Sequence, residues 1–198
     1  MLLPILLDDG SLLLALQNMD GTTTGAQLIK PNGEKKLIAG SRKKGALIPV
    51  NVLPEHTDTV IIAEGYATAV TASLLMQGVA ISALDSGNLI HVARSCRAVW
   101  PDAKIILAAD NDSKPGGSNT GKIAAEKAAQ AVNGWVALPP TTEKADWNDY
   151  YQQRGAAVSI SAFAASLYQP GQKQQPSSAS PLKPYADNRH GGERTSVV

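Results

Sequence analysis

The sequence predicts a parallel α/β domain over residues 58–168, preceded by a small antiparallel β meander over residues 1–57. Three observations carry this reading. After residue 58, short apolar runs without polar alternation recur, as in strands buried on both faces. Segments with apolar residues at helical spacing separate those runs. Before residue 58, the runs are cut by the turn signals Asp9-Gly10, Asp20-Gly21, Asn32-Gly33 and Gly45.

In chain order, Leu12–Leu16 and Leu37–Ala39 are apolar runs of the meander, and Asn32-Gly33 between Leu28-Ile29 and Leu37-Ile38 is its clearest hairpin. Val60–Ala63 is the first parallel strand. Tyr66–Gln77 follows as a helix, with Ala67, Val70, Leu74 and Leu75 at helical spacing. Val79–Leu84 is the second strand, and Leu89–Val99 the second helix, closed by Pro101. Lys104–Ala109 is the third strand, Ala124–Val132 an alanine-rich third helix, and Gly134–Leu138 a fourth strand stopped by Pro139-Pro140. A last helix is expected over Val158–Leu167. Alternating strands and helices imply a four-stranded parallel sheet with right-handed crossovers, flanked by helices. Residues 169–198 are dominated by Gln, Ser, Pro and Lys. They hold too little apolar surface to offset their ordering entropy, so a disordered tail is expected.

The 198 residues are 43% hydrophobic, enough for one good core or one core plus a small appendage. The net charge of +1 excludes a global field that would draw the chain onto nucleic acid, so any such contact must be a local patch. One cysteine, Cys96, excludes a disulfide framework and a cysteine-cluster zinc site, and fits a core position in a reducing cytosol. The apolar opening Met1–Leu7 is broken by Pro4 and followed by Asp8 and Asp9, with no basic leader and no cleavage signal. No apolar run is long enough to span a bilayer. A soluble cytoplasmic protein is expected.

The chemistry concentrates at the carboxyl ends of the expected strands, where open parallel sheets bind ligands. The first strand runs into Glu64-Gly65 and the third into Asp110-Asn111-Asp112. The second ends near Asp85-Ser86-Gly87-Asn88, and Asp146-Trp147-Asn148-Asp149 follows the fourth. Carboxylates gathered beyond buried strands repel one another, and a divalent cation relieves that repulsion. Asp110 and Asp112 flank one residue, so extended geometry points both side chains the same way, onto one ion or two neighbouring ions. Gly65 removes a side chain where a phosphate or helix must come close. Taken singly, Asp110-Asn111-Asp112 reads as a turn or cap, and Glu64 as a charge at a helix amino terminus. Their joint placement at two strand ends favours a metal site. His56, His91 and His190 are scattered, Trp147 reads as packing at the sheet end, and Asn119-Thr120-Gly121-Lys122 lacks the full phosphate-loop pattern, so it reads as the start of the third helix.

Glu64-Gly65-Tyr66-Ala67-Thr68-Ala69 resembles the EGYATA motif of phage- and plasmid-type DNA primases. Ala83-Leu84-Asp85-Ser86-Gly87-Asn88-Leu89 is similar to their Asp-Ala-Gly-Asn-Leu segment, with Ser86 in place of alanine. Ala108-Ala109-Asp110-Asn111-Asp112 and Asp146-Trp147-Asn148-Asp149 resemble their two later acidic elements. The resemblance is to the TOPRIM domain of this primase branch. It covers about residues 1–155 and is strongest over 58–150. It implies a metal-dependent nucleotidyltransferase that makes short primers on single-stranded DNA from nucleoside triphosphates. Glu64 would be the general base or acid–base partner. Asp110 and Asp112 would bind Mg²⁺ or Mn²⁺, with Asp146 or Asp149 completing a second site, and Gly65, Asp85 and Asn88 would support it. Lys35, Lys36, Arg42, Lys43 and Lys44 form a local basic cluster on the expected meander, where primases of this type hold template and nucleotide.

The sequence shows neither the cysteine–histidine zinc module nor the helicase domain of a complete primase, so the expectation is a fragment, a split gene product, or a catalytic subunit with a zinc-binding module and helicase supplied in trans. Two other readings stand beside it. The same acids could activate water in a TOPRIM nuclease. A non-catalytic primase remnant could serve as a DNA- or partner-binding module, although such a remnant has no need to keep a full set of carboxylates.

Overall fold

The structure, a computed structural model, describes residues 3–113 and 117–171. The tail expected over 169–198 lies, from residue 172 onward, outside the described residues. β1 (Ile5–Leu6), β2 (Leu12–Gln17), β3 (Thr23–Ile29) and β4 (Lys35–Leu37) form an antiparallel meander in that spatial order. The hairpin expected at Asn32-Gly33 joins β3 to β4, and the Asn32 side chain accepts a hydrogen bond from the Glu34 amide at 3.0 Å. Asn32 thus closes the turn with its own side chain.

The second sheet has six strands in the order β10-β9-β8-β6-β7-β5. Its centre is the expected parallel set: β6 (Thr59–Ala63), β7 (Val79–Ser82), β8 (Lys104–Ala108) and β9 (Trp135–Ala137). Two short antiparallel strands, β5 (Ile48–Pro49) and β10 (Leu167–Tyr168), cover the edges. Neither is legible in the sequence, because a two-residue strand has no periodicity of its own. Pro49 is tolerated because β5 is an edge strand.

Alternation along the buried strands sorts their side chains onto two faces. Val60, Ile62, Ile105 and Leu107 pack with Leu89, Val92 and Cys96 of α2 (Ser86–Val99) and with the alanines of α3 (Thr120–Ala131). Ile61, Ala63, Ile106 and Ala108 face α1 (Tyr66–Leu75), α4 (Trp147–Arg154) and α5 (Ala156–Ala165). Each fully buried aliphatic side chain contributes roughly 1.5–3 kcal/mol. Trp147 is wholly buried, with edge contacts to Tyr150 and Phe163, and its indole N–H donates to the Ala137 carbonyl at 3.0 Å. It is a core residue, as expected, and Cys96 is one too.

Three helices begin earlier than periodicity suggested, α5 by two residues, at Ala156. α2 starts at Ser86 because Asp85 caps it, accepting from the Asn88 amide at 3.1 Å, and α3 starts at Thr120 because Asn119 accepts from the Lys122 amide at 3.1 Å. The last helix ends at Ala165, and Leu167-Tyr168 leave it to pair with β9. Among the described residues no helix is long and apolar enough to cross a membrane.

The chain leaves β6 through α1 toward β7 on one side, while β8 lies on the other side, reached through α2 on the opposite face. The strand order therefore switches between β6 and β8, which opens a crevice at their carboxyl ends.

Candidate active site at the switch between two parallel strands

Ala63 stands opposite Ala108 in the β6–β8 ladder, so Glu64 and Asp110 leave neighbouring strands almost side by side. Both carboxylates are half-buried, and Glu64 Oε1 and Asp110 Oδ1 are buried without a hydrogen-bond partner among the described residues. Burial, with the negative charges of Asp112 and Asp85 behind it, pushes the Glu64 carboxyl up to about 7. Burial, with repulsion from Glu64, Asp146 and Asp112, pushes Asp110 up to about 8. Leaving such oxygens unpaired is costly, and the arrangement persists because the folded scaffold imposes it.

The scaffold is well defined. The Ser82 hydroxyl donates to the Glu64 carbonyl at 3.0 Å, fixing the turn after β6. Asp112 Oδ2 accepts from the Gly121 amide at 3.1 Å, and its other oxygen pairs with the Lys144 ammonium at 3.0 Å. A Cβ on Gly121 would stand 2.6 Å from the Asp110 carbonyl oxygen, so only glycine lets α3 approach the acidic strand end this closely. Asn111, between the two aspartates, is buried. Its amide group donates to the Thr141 carbonyl at 2.7 Å, and its side-chain oxygen accepts from Asn119 at 2.7 Å. Its backbone exchanges bonds of 2.9 and 3.0 Å with Ala145. The 139–146 connection is thereby pinned against the aspartates.

The remaining sequence-selected residues divide between this crevice and its supports. Asp146 borders it and accepts from Thr68 at 2.7 Å, while Asp146 and Asp149 also cap each other's backbone at the start of α4. Asp149 is exposed and turned to that cap. Asp85 caps α2 and forms an ion pair with Lys43. Asn88 is buried, accepting from the Gly45 amide at 2.8 Å and donating to the Ala46 and Ala83 carbonyls at 2.8 and 2.9 Å. It is a clamp between the meander's connector and the end of β7. Lys35 reaches in from β4. Its ammonium lies 3.0 Å from where a Gly65 Cβ would be, and its charge acts against the upward shifts of Glu64 and Asp110. Gly65 thus makes room for a cation. Lys36, Arg42 and Lys44 are exposed and make no ion pair among the described residues.

Lys144, Asn111 and Thr68 went unassigned in the sequence reading. Lys144 left only one trace there, its place two residues before Asp146. The two unpartnered oxygens are a fit for a hard divalent cation, which would take them as ligands. Among the described residues no three acidic or imidazole groups form a closed cage. Mg²⁺ sites of the common kind need none, since they use one or two carboxylates with water and substrate phosphate.

Comparison with known proteins agrees with this architecture. Over 125 residues, 61% of the chain, it is 35% identical to the DNA primase TraC of Escherichia coli, and 34% identical to a second protein of that name. It spans only 9% and 12% of those relatives' lengths. The primase fragment of the bacteriophage T7 primase-helicase protein superposes with a TM-score of 0.58 at 18% identity, over 78% of this chain and 62% of that one. The DnaG primase catalytic domain bound to single-stranded DNA gives 0.55 at 12% identity, over 79% and 52%. Residues 59–157, half of the chain, match the family described as the Toprim domain, and the chain belongs to that family.

Proposed function

We propose that the chain is the catalytic core of a DNA primase, a nucleotidyltransferase that joins nucleoside triphosphates on a single-stranded DNA template. One observation carries the reading: Glu64 and Asp110 place unpartnered, proton-hungry carboxylate oxygens side by side at the strand switch. The sequence relatives named DNA primase support it.

Glu64, held near neutrality, is matched to taking the proton of an attacking 3′-hydroxyl. The new bond forms between that oxygen and the α-phosphorus of the incoming nucleotide, and pyrophosphate leaves. Asp110 and Asp112 would hold Mg²⁺ or Mn²⁺, with Asp146 at the border of the site. The ion, when bound, supplies charge stabilisation for the attacking oxygen and the leaving group. Lys35, beside Gly65, offers a positive charge to the nucleotide or template, and Lys36, Arg42 and Lys44 extend a basic surface from the meander. Lys43, tied to Asp85, holds the meander to the Toprim domain instead. A zinc-binding module and a helicase are the proposed partners.

The test is primer synthesis on single-stranded DNA with labelled nucleotides and Mg²⁺ or Mn²⁺. Metal-dependent oligomers that vanish with Glu64→Gln are expected. Cutting of the template without synthesis would replace this reading by a Toprim nuclease. Neither activity, even with a zinc module and helicase added, would leave a non-catalytic binding module.

A further inference from the structure

Among the described residues, Lys144 pairs directly with a carboxylate of the expected metal pair, at 3.0 Å from Asp112 Oδ1. The Gly121 amide already holds the other Asp112 oxygen, so the ammonium sits on the oxygen a metal would need. The Lys144 side chain is 70% exposed and that of Asp112 only 26%. The backbone around Lys144 does not share this freedom. Ala145 exchanges two hydrogen bonds with Asn111, and Asn111 also holds Thr141. The side chain can therefore swing while its anchor stays fixed. Beside it lies an open cleft of about 360 Å³, between residues 140–145 and the last turn of α4. Thr141, Thr142, Glu143, Lys144, Gln153 and Arg154 line it. The polar lining carries two cations and one acid.

We propose that Lys144 is a stand-in cation that keeps the Asp112 carboxylate in place until a divalent ion arrives, then turns into the cleft, beside Arg154, to bind the triphosphate tail of the incoming nucleotide. This rests on the metal-dependent nucleotidyl-transfer reading. The exchange is cheap, because a solvent-reached ion pair contributes little to stability. It also couples the two ligands. Metal frees the lysine for phosphate, and by reciprocity phosphate favours metal.

The full chain with Lys144→Gln tests this by Mn²⁺ binding, followed by electron paramagnetic resonance, and by calorimetric titration with tripolyphosphate at saturating Mn²⁺. The exposed substitution leaves the core untouched, which a far-ultraviolet spectrum checks. Mn²⁺ alone is expected to bind about threefold more tightly, since its competitor is gone. Tripolyphosphate is expected to bind about tenfold more weakly. Arg154→Gln should weaken tripolyphosphate while leaving Mn²⁺ affinity unchanged. Unchanged or weaker Mn²⁺ binding in Lys144→Gln would overturn the stand-in role. Unchanged tripolyphosphate binding with weakened binding of a short oligothymidylate would place the phosphate on the template strand and overturn the nucleotide assignment. Wild-type protein that binds no Mn²⁺ would overturn this inference together with the metal reading. Mn²⁺ binding as expected without primer synthesis would sink the primase reading alone.

Discussion

Replacing Asp110 by Asn should make the metal-free protein more stable in alkaline buffer while removing the proposed activity. The Asp110 carboxyl titrates near 3.8 in an ordinary setting and near 8 here, chiefly because it is buried and secondly because Glu64 repels it. Between those values the native state keeps a proton that the unfolded chain has released. Stability therefore falls as pH rises through this window, and the full penalty is present above about 8. Unscreened, the displacement would cost roughly 6 kcal/mol. The group is buried only in part, and water at the open side of the crevice screens it, leaving about 1–2 kcal/mol. For a domain of this size that is a rise in melting temperature on the order of 5 °C. Thermal unfolding followed by circular dichroism, in chelator, at pH 4 and pH 8.5, measures it. The gap between Asp110→Asn and wild type should be near zero at pH 4 and open at pH 8.5. Added Mg²⁺ should then stabilise the wild type by about 3 kcal/mol at a hundredfold excess over its dissociation constant, and not the variant, reversing the order. A gap independent of pH, or a wild type that is the more stable at pH 8.5 without metal, would refute the buried, repelled carboxylate.

Two further substitutions probe the scaffold. Gly121→Ala adds a Cβ 2.6 Å from the Asp110 carbonyl oxygen, a backbone atom that cannot step aside cheaply. The roughly 1 kcal/mol that alanine gains as a helix former is outweighed by a clash of about 1–3 kcal/mol, so urea midpoints should fall and metal binding weaken. An equal or higher midpoint would mean that α3 stands further from the aspartates. Trp147→Ala removes a wholly buried ring and its hydrogen bond to Ala137, at a cost of about 3–5 kcal/mol in chemical denaturation. A loss under 1 kcal/mol would refute the core role of Trp147.

The sequence alone was enough for the central parallel strands and for the position of Glu64, Asp110 and Asp112 just beyond their ends. Buried strands must be apolar throughout, and acids placed directly after them are conspicuous against that background. Caps were harder to read. Asp85 and Asn119 start their helices before the apolar period begins, so periodicity located α2 and α3 late. The edge strands β5 and β10 were illegible, since two residues pair only because a neighbour offers an open edge.

The sequence by itself determined that β6 and β8 are buried on both faces, because their apolar runs are unbroken, and it determined which side chains share a face, because alternation along a strand depends only on local geometry. It also determined the acids that end those strands. Only the tertiary structure decided what those acids meet. Glu64 and Asp110 lie far apart in sequence, and register between β6 and β8 alone sets them side by side with unpaired oxygens. Lys35 enters from another sheet, and Lys144 from a connection held by Asn111. Charges repel, pair and shift their titration according to distance in space, and chain order does not encode that distance until the fold has closed.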